Sequence, residues 1–154
     1  MDPVVFARDP GLDALRRRRA ELFESMAALE QALDEPADDR LVEWTEWVNV
    51  ALVALSADVR AHLAITEGAG GLHGDVIVTA PRLTRAVERL VAEHDVINDM
   101  VGDLAARARA VTTLGQVDEI RALGRDLLAR LRKHRQRGAD LVFEAYQTDI
   151  GGET

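Results

Sequence analysis

Between Leu83 and Ala108 the apolar residues recur in an unbroken 3-4 step: Leu83, Val87, Leu90, Ile97, Val101, Leu104 and Ala108. His94 stands where the step asks for one more. That step is the period of one helix face, so the spacing predicts a helix whose inward stripe includes a histidine. Three further segments repeat the design. Leu12, Leu15, Leu22, Met26, Leu29 and Leu33 form a stripe interrupted by Arg19, and Leu41, Trp44, Val48, Leu52, Leu55 and Val59 lead to His62. Val117, Ile120, Leu127, Leu131, Leu141 and Ala145 enclose His134, together with Gly124 and Gly138. Four amphipathic helices, each aiming one polar side chain at a shared axis, predict an all-α fold: an up-down-up-down antiparallel four-helix bundle with an interior site.

The expected helices cover about 12–33, 40–67, 82–110 and 116–146 of a single domain spanning 1–154, with short tails. Asp34-Glu35-Pro36 ends the first helix, and Asp38 or Asp39 is placed to cap the second. Gly68-Ala69-Gly70-Gly71 stops the second helix, since glycine tolerates left-handed cap geometry. Leu72 to Ala80 reads as a link, faintly extended over Asp75–Thr79, before Pro81 in the first turn of the third helix. Thr112 to Gly115 makes the last turn. Trp47, Val50, Ala51 and Val53 give the second helix a further apolar face, which suits deep burial or a homodimer contact.

Composition narrows the function classes. A net charge of −8 argues against non-specific nucleic-acid or anionic-membrane binding, which needs a basic face. The run Arg16-Arg17-Arg18-Arg19 spreads around a whole helix circumference, beside Glu21 and Glu24, and reads as a solvated helix start. The absence of cysteine excludes disulfides, thiolate ligands and cysteine nucleophiles. No uninterrupted apolar run approaches the roughly 18 to 20 residues that cross a bilayer, and no signal-peptide pattern opens the chain, so a cytoplasmic location without a membrane is expected. Ser25 and Ser56 have no histidine at a spacing suited to nucleophilic catalysis, and no phosphate-cradling glycine loop is present.

The histidines carry what chemistry there is. A single histidine on an apolar face is an ordinary hydrogen-bonded core residue; one on each of three helices is harder to dismiss. His94 lies about 16 residues before the end of its helix and His134 about 18 after the start of the next, so at 1.5 Å per residue their levels nearly coincide in an antiparallel pair. The level of His62 depends on the path of the loop after Gly68. His73, in a Gly-Leu-His-Gly link, reads as solvent-exposed. Gly138 costs its helix about 0.5–1 kcal/mol relative to alanine. Its space serves either close packing against a tryptophan of the second helix or a cavity beside His134. Tyr146, Trp44 and Trp47 read as packing residues.

The segments VRAHLAITEGAGGL, APRLTRAVERLVAEHDVI and LLARLRKHRQRGADLVFEAY, with LFESMAALEQAL before them, resemble the four helices of hemerythrin-like (HHE cation-binding) domains. The resemblance runs from about Leu12 to Tyr146, and Glu93-His94 followed by Ile97 is its most specific piece. It implies a four-helix bundle holding non-haem iron through histidines and carboxylates, and binding a small gas or oxidant: dioxygen, nitric oxide or peroxide. Enzymatic activity, if any, would be metal-dependent redox chemistry on oxygen or peroxide.

The departures from that pattern are specific. Arg18-Arg19 stands where the family has an acidic-histidine pair, and a guanidinium cannot ligate a cation. The carboxylate expected four residues after His62 is replaced by Thr66, with Glu67 one further, and that after His134 by Gly138, with Asp140 two further. A residue at i+5 is turned about 140° and at i+6 about 240° on a helix, so Glu67 reaches only if the helix end unwinds and Asp140 only with distortion. Two readings remain. In one, His62, His94, His134 and Glu67 hold a non-haem metal, iron first, as a mononuclear or incomplete dinuclear site, with Thr66, Gly138 and Arg19 around an adjoining pocket. In the other, no metal is bound and Arg19 forms an interior salt bridge with Glu67 or Glu93, leaving a bundle that serves as an interaction or small-molecule-binding module.

Overall fold

The computed structural model describes residues 10–67 and 71–151, with side chains described within 13–66 and 71–146 apart from Leu72. Among these residues the chain is all-helical, with five α-helices: α1 (Pro10–Asp34), α2 (Leu41–Glu67), α3 (Leu72–Thr79), α4 (Thr84–Arg109) and α5 (Leu114–Gly151). A 3-10 turn, Pro81–Leu83, joins α3 to α4. Apart from the half-buried Leu41, and from Leu12 outside the described side chains, the apolar stripes read from the sequence are buried. In α4 every position from Val87 to Ala108 in the 3-4 series is buried, His94 included. Trp44, Val48, Leu52, Leu55 and Val59 of α2 are all sealed from solvent.

Helix α1 packs on α2 and α5, and α4 packs on α2 and α5, so the four long helices share one interior. Between α1 and α5 the contacts descend one helix as they climb the other. Arg121 Nε donates to the Leu33 carbonyl at 2.8 Å, Arg132 pairs with Glu30 at 2.8 Å, and the Arg135 guanidinium lies 5.4 Å from the Phe23 ring. The interior is divided into two apolar clusters. The larger takes Ile97–Ala108 of α4 and Val117–Leu131 of α5; the smaller takes Val76, Leu83–Leu90, Leu141 and Ala145. His94 and His134 lie between them on both helices.

Three expectations are corrected. The segment Leu72–Thr79 is helical rather than an extended link. Its β-branched residues weakly oppose helix, but Val76 is fully buried against Leu83, Leu90 and Leu141, and burial outweighs an intrinsic preference of a few tenths of a kcal/mol per residue. The α1–α2 turn is made by Asp39 in the left-handed region, φ 58°, rather than by the side-chain cap expected at Asp38 or Asp39. The last helix starts at Leu114, earlier than the expected 116, because Thr113 and Gln116 form a capping box. The Gln116 amide oxygen accepts the Thr112 and Thr113 N–H groups at 2.7 and 3.1 Å, and Gln116 N–H donates to Thr113 Oγ1 at 3.3 Å.

Helix α2 also revises the expectation that no segment is apolar enough to span a bilayer. By length and composition Leu41–Thr66 is apolar enough to cross a bilayer, with an 18-residue stretch of mean hydropathy 1.5. Scattered charges at Glu43, Glu46, Asp58 and Arg60 break every uninterrupted run and hide this. The core stripe accounts for one face only. On the other, Val50 and Val53 are 71% and 69% exposed, with Val42 and Trp47 beside them.

Candidate metal centre

The last turns of α2, the middle of α4 and the middle of α5 each contribute one histidine to a single cluster. One nitrogen of each of His62, His94 and His134 lies within 4.8 Å of the other two. His94 Nε2 and His134 Nε2 are 2.8 Å apart, and the His62 ring stands edge-on to both at centroid distances of 5.9 and 5.8 Å. The level match expected for His94 and His134 is therefore met, and His62 joins them because α2 keeps its helical phase to Glu67.

Glu93, the residue before His94, is turned toward α5. Its carboxylate accepts His134 Nδ1–H at 2.9 Å and also contacts Arg137. That fixes the His134 tautomer. With Nδ1 the donor, a neutral His134 keeps its Nε2 lone pair toward the cluster, where in the metal-free state it accepts the Nε2–H of His94. A carboxylate that orients a histidine through its second nitrogen is the usual support of a metal ligand.

Burial and mutual repulsion keep His62 and His94 neutral. The pKa of His62 falls from 6.5 to about 3, first through burial, then through the charges that His134, His94, Arg19 and His73 would place beside it. His94 falls to about 3 for the same first reason, with His134 and His73 adding to it and Asp95 opposing. Neutral imidazoles are the form that binds metal.

Thr66, Gly138 and Arg19 all line one cavity of about 250 Å³ with His62 and His134. Thr66 is buried and donates its hydroxyl to the His62 carbonyl at 2.9 Å, so its side chain serves its own helix. A Cβ on Gly138 would meet nothing within 4 Å, so this glycine opens the cavity and does not pack against tryptophan. Glu67 ends α2, and its side chain lies outside the described residues. Asp140 is exposed and accepts from Gln136 at 2.8 Å, away from the cluster. The expected Arg19–Glu93 salt bridge is absent, because Glu93 is engaged by His134 and Arg137.

His73 corrects a further expectation. It is buried, and its ring stacks on His94 at 5.8 Å and 10°. Its place follows from α3 folding as a helix, which no local pattern announced. Trp47 and Tyr146 are substantially exposed, so only Trp44 is a packing residue of the interior in the sense expected.

The donor set fits a metal ion. Metal–nitrogen bonds of about 2.0–2.1 Å place tetrahedrally arranged nitrogens about 3.4 Å apart. The three nitrogens here, one pair at 2.8 Å and all within 4.8 Å, bracket that spacing. His62 Nδ1 is buried with no hydrogen-bond partner, a cost that a ligand at this nitrogen would remove. Imidazole donors suit iron, zinc, copper and nickel. No family model matches the sequence, and no curated protein and no solved structure matches it.

Proposed function

We propose that this protein is a hemerythrin-like metal protein whose long helices form an up-down-up-down bundle around one non-haem metal ion, iron first, held by His62, His94 and His134. The convergence of three imidazoles from three helices carries this reading. The opposed run of contacts between α1 and α5 supports the bundle topology. His134 is oriented by Glu93, His94 is held in the plane between two apolar clusters, and His62 presents an unsatisfied nitrogen. Bound iron would supply redox chemistry toward a small gas or peroxide entering beside Gly138; the protein's own residues position the ion and exclude bulk water. A carboxylate ligand is expected only from Glu67.

A second reading is favoured by one observation. The His94–His134 hydrogen bond already satisfies both Nε2 atoms, so this pair also stands as a metal-free polar contact. Metal analysis of the purified protein separates the two. The metal reading expects about one equivalent of iron, or uptake of one when iron is supplied anaerobically, with loss in His94→Ala. Protein that neither retains nor takes up a metal would be left with the second reading.

A homodimer through the outer face of α2 belongs to the same proposal. An antiparallel α2–α2 pairing centred on Val53 sets Glu46 of one copy opposite Arg60 of the other, twice by symmetry.

A further inference from the structure

The cavity beside the histidines has a charge that the metal reading leaves unexplained. It is lined by Arg19, Arg132 and Arg135, and by no acidic side chain among the described residues. Arg132 is paired with Glu30 on the outside at 2.8 Å. Arg19 and Arg135 have no carboxylate partner among the described residues, and their charges repel one another. Burial and the Arg19 charge together make Arg135 easier to deprotonate than usual. Holding two guanidiniums half-buried and unpaired costs stability, and proteins do so where an anion is to be received. A divalent ion at the histidines would add to the same positive field.

Besides the histidines, Thr66 and Gln136, the other walls are apolar. Leu15, Leu90, Leu141 and Val142 face the same space. Its 250 Å³ is the room of about eight waters, below the 300–1,000 Å³ of pockets for drug-sized ligands. We infer that this cavity binds a small organic carboxylate, its carboxylate on Arg19 and Arg135 and its apolar body against Leu15, Leu90 and Leu141. An inorganic oxyanion would satisfy the arginines but leave the apolar walls against water. The inference stands on the arginines and the cavity, and so is independent of whether the histidines hold a metal.

The test is calorimetric titration of the full chain with benzoate, its neutral analogue benzamide and inorganic phosphate, on chelator-treated and iron-supplied protein. Benzoate should bind both forms, at least tenfold tighter than benzamide or phosphate. Arg19→Gln with Arg135→Gln should weaken it at least tenfold while the melting temperature holds or rises, since a like-charge contact is removed. Equal binding of benzamide would mean an apolar cavity only, and phosphate as tight as benzoate would mean a bare anion site; either overturns the inference. So does benzoate binding confined to iron-supplied protein, which would place the carboxylate on the metal. If the double variant fails to fold, Arg135→Gln alone should still weaken benzoate several-fold, and an unchanged affinity counts against the proposal.

Discussion

Two glycines of α5 sit on the same inward stripe and do opposite things. Gly124 is required by packing: a Cβ there would lie 2.4 Å from Leu33 Cδ1, and Leu33 is sealed in the core and cannot swing away. Gly138 faces open cavity. Gly138→Ala should therefore stabilise the protein by about 0.5–1 kcal/mol through helix propensity. Gly124→Ala should destabilise it by about 1 kcal/mol, overpacking outweighing the same propensity gain. Urea titration of both variants checks the contrast; stabilisation by Gly124→Ala would show that the core beside Leu33 yields more readily than its burial implies. At this scale the sequence was legible for His62, His94 and His134, whose inward direction follows from helical phase alone. It misplaced His73, read as solvent-exposed, and offered Glu93 to Arg19 rather than to His134, because both placements depend on a neighbouring helix.

At the scale of elements, α2 joins two unlike faces. Leu55 is fully buried and Val53, two residues earlier, is 69% exposed. Leu55→Ala should cost about 2–5 kcal/mol, as a cavity-forming core change does. Val53→Glu should leave the fold of the single chain within about 0.5 kcal/mol. In the proposed antiparallel pair it would instead bury two carboxylates at the two-fold axis. Sedimentation velocity should then show wild-type dimer and Val53→Glu monomer with the same helical circular dichroism. Monomer for both would remove the dimer from the proposal. The four long helices were legible because each carries a stripe of six or more apolar positions. The short helix Leu72–Thr79 was not, because eight β-branched-rich residues have no helical signal until Val76 finds its pocket.

Taken as a whole, the molecule sets a buried histidine layer between two apolar clusters, and His62 and His94 in that layer make its stability depend on pH. Folded His62 and His94 titrate at about 3, whereas in an unfolded chain they titrate near 6.5. Between these values the unfolded state binds protons that the folded state refuses, so stability is complete above 6.5 and falls as pH drops toward 3. The two groups together contribute a slope of at most about 2.7 kcal/mol per pH unit, coupling within the cluster lowering it. Urea unfolding of metal-free protein should give a markedly lower stability at pH 5 than at pH 7. The pH dependence should flatten in His62→Gln with His94→Gln; an unaltered slope in that variant would locate the acid sensitivity in the carboxylates.

What the sequence determined by itself is the set of faces. Periodicity is a local property, and a 3.6-residue repeat assigns each side chain an inward or outward direction without reference to any other helix. The buried stripes, the inward histidines and the apolar outer side of α2 all follow from it. What the tertiary structure alone decided is which inward groups meet: His134 with Glu93, His73 with His94, and Arg19 facing a cavity with no carboxylate partner among the described residues. These meetings depend on the relative height and rotation of whole helices. Those are set by the sum of many side-chain contacts across the interfaces, and no single segment encodes that sum.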